Sequence, residues 1–295
     1  AAVRKAPPVR EREPLETLFH LDFDKGFAAS EARGEKEPTN ANRPSLVPGV
    51  SGQAALFGPR QALRYLEDKN LRKECGAIAV WVQTPVDGND AKEWLHIFRE
   101  EGPNKPGANA LWLWLFPQHG LRWDPRDKED SHVLLAHSST WKKGEWHHVI
   151  ACWDALRGTT DYVDGKLRSF GSAGDSGKKF IPVAWEPVSY PAFIVGADAA
   201  EGHRPWQGAI DEFRIFSRPL TIEEARAEYG RFCKVPAAVD ALDPYLWAGA
   251  EETLTLSFEN QKGSDVQTRA SYGVKDAAGA VVAQGELGAL TISAD

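Results

Sequence analysis

GEWHHVIACWDALRGTTDYVDGKLRSFG, residues 144–171, sets short apolar strand-like runs on either side of one turn pair, Asp164-Gly165. A two-residue type I′ hairpin needs positive φ at both central positions, and Asp-Gly adopts it at little steric cost. TDYV and KLRSF are therefore read as paired strands, with WHHVIACW the strand before them. The same texture runs in both directions: LFHLDF, QAALFG, AIAVWVQ, ALWLWLF and GLRWD precede it, and AFIVGA and AIDEFRIF follow. Turn clusters such as Pro85-Val86-Asp87-Gly88 and Gly171-Ser172-Ala173-Gly174 separate these runs. Many short strands without intervening helices predict an antiparallel all-β sandwich or jelly roll. One helix is expected after the last strand. Thr221 and Glu224 have capping-box spacing, and Ile222, Ala225 and Tyr229 fall near one face, so the domain closes at Phe232.

The 295 residues suggest two units at roughly 150 residues each. Apolar residues at 42% and charged residues at 26% are ordinary globular usage, enough for a packed core. A formal charge of -7 argues against nucleic acid as a partner, because phosphate neutralisation needs a basic face. The longest apolar run, ALWLWLF, is strand-sized and far below the roughly 18 residues of a membrane span. The chain holds no Met, even at position 1, so it is read as beginning after processing, with a removed signal peptide as one explanation. Cys75, Cys152 and Cys233 lack C-x-x-C spacing, which points to neither zinc nor redox chemistry. They are read as small buried hydrophobes, or as one internal disulfide with a thiol left over.

WHHVIACW through KLRSFG, then FIVGAD and WQGAIDEFRIFSRPLTIEEARAEY, resemble the laminin-G-like, concanavalin A-like jelly roll of large secreted bacterial proteins. LFHLDFDKG as opening strand and GAIAVWVQTP as a central strand also fit. The resemblance spans 16–232. It implies an extracellular, cell-surface or periplasmic protein whose relatives bind glycans or proteins, act as spacers, or accompany catalytic domains. Residues 1–15 are read as an N-terminal tail outside any core and 233–250 as a linker. In 251–295, TLTLSFEN, VQTRASYGVKD, AVVAQGEL and GALTIS resemble the first half of an immunoglobulin-like β-sandwich. About 60 residues fall short of the roughly 100 such a sandwich uses. Either the gene product continues beyond Asp295, or a partner adds the missing strands.

No catalytic residues are expected. Retaining glycosidases of this superfold carry two glutamates on one strand in an E-x-D-x-E or E-x-D-x-x-E pattern, and no strand here has it. The acidic runs at 31–37 and 127–130 lie in loops, while Asp211 and Glu212 are adjacent. The binding candidates are aromatic. In ALWLWLF, Leu111, Leu113 and Leu115 share one face and Trp112 and Trp114 the other. With the leucines in the core, the indoles would form an exposed row on which pyranose rings stack, extended by Trp81 and Trp123. The competing reading places such tryptophans in the core or beneath a loop. Trp146 is assigned to the core. His147 and His148, adjacent on a strand, cannot easily chelate one ion and are read as structural; His119, His132 and His137 lie among Asp124, Asp127 and Asp130 with unspecific spacing.

Calcium is the one cofactor with a family-level case. Asp22 and Asp24 share a face of the first strand, and Asp211 opens the last strand, which could lie beside the first. A purely hydrogen-bonding role for Asp211 competes with a shared Ca2+. The expected function is a non-catalytic recognition or adhesion module binding a glycan or protein ligand. The alternative is an assembly subunit docking on other chains of a complex through protein-protein interaction. A glycoside hydrolase ranks third.

Overall fold

A computed structural model describes residues 13–87, 90–102, 110–116, 120–125, 133–136, 141–155, 158–171, 187–232, 266–275 and 281–292. Its strands are β1 (Thr17–Leu21), β2 (Glu31–Ala32), β3 (Ser45–Pro48), β4 (Gln53–Leu56), β5 (Leu63–Leu66), β6 (Cys75–Gln83), β7 (Leu95–Glu100), β8 (Leu111–Phe116) and β9 (Gly120–Pro125). Then come β10 (Val133–Ala136), β11 (Trp146–Asp154), β12 (Gly158–Val163), β13 (Lys166–Gly171), β14 (Ala192–Val195) and β15 (Ala209–Phe216). Helix α1 (Ile222–Gly230) and the strands β16 (Val266–Lys275) and β17 (Val281–Ile292) follow.

Two antiparallel sheets form the jelly roll. One is nine-stranded, in the order β13-β12-β11-β6-β15-β1-β2, with β4 pairing β15 and β3 pairing β4. The other is six-stranded, in the order β10-β9-β8-β7-β14-β5. Asp164 and Gly165 take φ of 52° and 71° between β12 and β13, as the hairpin requires. Between the sheets, Ile78, Val80 and Val82 of β6 and Phe213 and Ile215 of β15 meet Leu111, Leu113 and Leu115 of β8. Phe19 of β1 packs edge-on against Tyr65 and Phe193, at 4.9 and 5.2 Å between ring centres. Each such side chain, fully buried, contributes about 1.5–3 kcal/mol.

The alternation in β6 is double-sided. Its other face, Ala77 and Ala79, joins Ile150, Cys152 and Tyr162 beneath Leu220, Ile222 and Ala225. Alanines let α1 approach closely, and the Tyr162 hydroxyl donates to the Leu220 carbonyl at 3.1 Å. The capping box is present: Glu224 N donates to Thr221 Oγ1 at 3.2 Å and Thr221 N to Glu224 Oε2 at 2.9 Å. Residues 13–15 correct the expected tail. Arg218 Nε donates to the Glu13 carbonyl at 2.6 Å, and Leu15 is partly buried against the helix layer, so the docked chain starts before residue 16.

The described C-terminal residues form one hairpin, β16 with β17. AVVAQGEL and GALTIS, read as two strands, are one: the partner of Ala270 is Gly288 and that of Ser271 is Glu286, so a bulge at Leu287 replaces the expected break. TLTLSFEN and the 233–250 linker lie outside the described residues. A two-stranded hairpin is common to all antiparallel β folds, and an immunoglobulin-like assignment goes beyond it.

Candidate functional site

Parity along β8 sends Trp112 and Trp114 to the outer face of the six-stranded sheet, opposite the core leucines. Register places His96 and Arg99 of β7 beside them on one side and Arg122 and Asp124 of β9 on the other. The expected exposed row is nevertheless absent: Trp112 is 1% and Trp114 2% exposed. The physical reason is that the face covers its own aromatic surface. The Arg99 guanidinium lies 4.2 Å from the Trp112 ring centre, His96 stacks on Trp114 at 5.7 Å, and half-buried Trp94 and Tyr190 pack against the pair. Trp114 Nε1 donates to Asp124 Oδ2 at 2.7 Å, which satisfies the indole where water is excluded.

Trp81 and Trp123 do not extend this row. Trp81 belongs to the nine-stranded sheet and stacks on Tyr229 of α1 at 5.6 Å, with His148 at 5.0 Å. Trp123 is opposite Leu113 in register and therefore points into the core, 5.9 Å from Trp153. Trp146 also departs from expectation, being half-buried at the start of β11.

The outer face has an open edge where the 196–206 loop crosses it. Asp198, 5% exposed, accepts His203 Nδ1 at 3.1 Å and lies 3.7 Å from Arg99 and 3.5 Å from Arg204. Arg204 stacks on Trp94 at 4.6 Å and keeps a third of its side-chain surface, 35%, in solvent. Its φ is 46°, an uncommon backbone for a residue with a Cβ, and its carbonyl accepts the His96 N–H at 3.2 Å. Sequence reading missed Trp94, His96, Arg99, Asp198, His203 and Arg204. The alternation of Trp94 and His96 with Leu95 and Ile97 carries the signal for the first two; nothing local announces the loop.

The three aspartates do not form the expected carboxylate site. Among the described residues, no group of three or more His, Cys, Asp or Glu side chains is placed to hold a metal ion. Asp211 instead accepts the N–H groups of Val50 and Ser51 at 2.9 and 3.2 Å on Oδ2, and of Glu212 at 2.8 Å on Oδ1. Asp24 Oδ1 accepts Gln53 N at 2.9 Å, and Asp22 Oδ1 accepts Asp24 N at 3.2 Å. Asp24 and Asp211 thus clasp the β3–β4 turn from two sides. A Cβ on Gly49 would come within 2.2 Å of Asp211 Oδ2, and one on Gly52 within 1.8 Å of Asp24 Oδ1, so glycine is required at both. Burial pushes the Asp211 carboxyl up to about 7 against these amides. Backbone donors satisfy the carboxylates here, and the residues present do not fit a three-aspartate calcium site.

Other reactive groups are absorbed into packing. Glu67 and Glu100 lie together in the interior, Tyr190 N donates to Glu67 Oε1 at 3.3 Å, and Lys73 Nζ donates to both Glu100 oxygens, to Oε1 at 2.6 Å. Burial beside that carboxylate raises Glu67 to about 8. Glu100 Oε2 also accepts Leu111 N at 2.5 Å, so the pair ties β7 to β8 with no open side. Ser30 Oγ, His20 and Glu212 follow one another at 3.2 and 2.7 Å, but Arg214 donates to the same Glu212 oxygen at 2.6 Å. Arg214 also pairs with Glu228, which makes this network the joint between β1, β15 and α1. His147 bonds Asp164 at 2.9 Å and stacks on Trp141, whereas buried His148 is pushed down to about 3 by desolvation. His119, His132, His137, Asp127, Asp130 and Cys233 lie outside the described residues; Cys75 and Cys152 are buried, and Cys75 Sγ donates to the Ser217 carbonyl at 3.6 Å.

Two sheets of this topology, with their aliphatic inner faces, define a concanavalin A-like jelly roll. The chain belongs to the concanavalin A-like lectin/glucanases superfamily, whose laminin G model matches residues 62–226. No curated protein matches it. Among solved structures it is similar to domain 4 of AbnA, an extracellular arabinanase of Geobacillus stearothermophilus in complex with arabinotriose: 18% identity, TM-score 0.50, covering 72% of this chain and 98% of that one. It is also similar to the botulinum neurotoxin serotype D binding domain, at 14% identity and TM-score 0.53, covering 73% of this chain. A third likeness is the binding domain of Paraclostridial Mosquitocidal Protein 1, at 12% identity and TM-score 0.52, covering 74% of this chain. The chain spans about half of those two toxin domains, 50% and 52%. At such identities the likeness establishes the fold. No helix among the described residues is long and apolar enough to cross a membrane.

Proposed function

We propose that this chain is a non-catalytic recognition module of a larger extracellular or cell-surface protein, binding a glycan or protein ligand at the open edge of its six-stranded sheet. The observation that carries this reading is the partly exposed Arg204 side chain, its guanidinium stacked on half-buried Trp94 above a layer of Trp112, Trp114, His96 and Arg99. An indole and polar groups on a rigid sheet match what a sugar ring needs, an apolar face and hydrogen-bonding partners. The arabinotriose complex of a similar fold and the binding-domain role of the toxin neighbours support it. So does the closed Glu67–Glu100 pair, which leaves no room for the water or nucleophile geometry of glycoside hydrolysis.

Affinity gel electrophoresis over a polysaccharide panel, together with a glycan array, tests the proposal. Trp94→Ala is expected to abolish retardation while circular dichroism and melting temperature stay close to the parent. Retention of full binding by that variant would move the site elsewhere. A second reading, an assembly subunit, draws on the β3–β4 hairpin, where Leu46 and Leu56 are exposed large apolar side chains on a sheet edge. Its test is light scattering of parent and Leu46→Lys: a parent oligomer that dissociates in the variant would favour docking through that edge.

A further inference from the structure

The geometry points to Arg204 as an anion-reading subsite, so that the ligand is a glycan carrying carboxylate or sulfate groups. This rests on the recognition-module reading above and narrows its substrate class. Four observations carry it.

First, the guanidinium is displayed with its donors available. Arg99 is committed: Nη1 donates to the Asp198 carbonyl at 3.0 Å and Nη2 to the Gly102 carbonyl at 3.1 Å. Arg204 approaches Asp198 Oδ2 only at 3.5 Å, and its guanidinium makes no hydrogen bond to the described residues. Second, two guanidinium groups face a single buried carboxylate, with the His203 imidazole, 66% exposed, on the same Asp198. The acidic neighbours in sequence, Glu93 and Glu201, form no ion pair with Arg204 among the described residues. In a chain of net charge -7, the two guanidinium groups outnumber the one carboxylate that they share.

Third, the pose is held from several sides. Asp198 N donates to the His203 carbonyl at 2.9 Å, Trp206 N to the Gly196 carbonyl at 2.8 Å, and His96 bridges Pro205 in parallel. These bonds hold Arg204 in its left-handed backbone, and strain kept in place this way marks sites where a side chain's direction matters. Fourth, the chemistry is specific. A planar guanidinium offers two parallel N–H bonds to a carboxylate or sulfate, and Trp94 beneath it gives the adjoining sugar an apolar surface. One such group suits a charged saccharide; a nucleic acid would need a broad basic face the composition does not supply.

The test compares the intact chain on gels containing polygalacturonate or heparin with gels containing neutral arabinan or dextran. Retardation by an acidic polymer, weakened by salt, is expected. Arg204→Gln should weaken it by about tenfold, and Arg204→Lys, which keeps the charge but loses the fork, by less. Should Arg204→Gln fail to fold, the Lys variant and the salt dependence still decide. Retardation by neutral polymers alone, or unchanged acidic binding in Arg204→Gln, overturns the anionic class and leaves the recognition module standing. Absence of retardation in every gel overturns both.

Discussion

The two sheets have outer faces built from the same kinds of residue, and they end differently. On the nine-stranded sheet, Trp81, His148 and Arg214 lie beneath α1, closed by Tyr229 and Glu228. On the six-stranded sheet, Trp112, Trp114 and His96 are as deeply buried and Arg99 is 11% exposed, yet the layer stops at Arg204 and Trp94, which remain partly in solvent. One face is sealed by a helix with a strong cap; the other is finished by a strained loop. Tryptophan and arginine on a sheet therefore do not by themselves mark a binding surface. What distinguishes the faces is whether the last cation in the stack has its donors filled.

The contrast can be pressed hardest through stability. Trp112→Ala and Trp81→Ala should each destabilise by about 3–5 kcal/mol in urea titrations, as core truncations do, whereas Trp94→Ala should lose about 1 kcal/mol. Equal losses at all three would erase the distinction between the sealed layer and the open edge. Next in size is Lys73→Met, which strands the buried Glu100 carboxylate and is expected to remove about 3–5 kcal/mol at pH 8 and less at pH 5. A loss independent of pH would mean Lys73 acts through packing alone.

Titration gives a smaller, signed effect. Burial raises Glu67 to about 8 and Asp211 to about 7, so the folded chain holds protons that the unfolded chain releases. Their contribution is full below the unfolded carboxylate range and is lost as pH rises through 7 to 8. His148, lowered to about 3, acts oppositely: its contribution is present above about 6.5 and is lost as pH falls toward 3. The melting temperature should therefore climb from about pH 8.5 to 6.5 and go on climbing toward about pH 5, with His148 offsetting part of the gain below about 6.5. A flat profile between pH 6.5 and 8.5 would contradict the burial of both carboxyls.

The sealed face also depends on its cap. Thr221→Ala should loosen α1 and lower stability by about 1 kcal/mol, measured by thermal denaturation, without changing ligand retardation. Smallest of all is the effect of chelation. With Asp211 and Asp24 satisfied by backbone amides, excess EDTA should shift the melting temperature by less than about 2 °C, and a larger drop would restore a calcium ion to that turn.

Much of this was legible in the chain. Asp164-Gly165 announced its hairpin, Thr221 and Glu224 their cap, and the leucine parity of ALWLWLF its inward face. Trp123 was misplaced although GLRWD alternates too, because its direction depends on pairing with Leu113, a register fixed between strands. Asp211 was rightly set near the first strand, since β15 pairs β1, but its partners are the amides of a distant turn.

Local alternation, turn chemistry and capping are encoded within a few residues, so the amino-acid order alone determined the strands, the helix and the jelly-roll class. Exposure is a property of what other segments cover, and only the tertiary structure could decide it. It buried Trp112 beneath Arg99, turned Trp81 toward a helix, and brought Arg204 from a far loop onto Trp94.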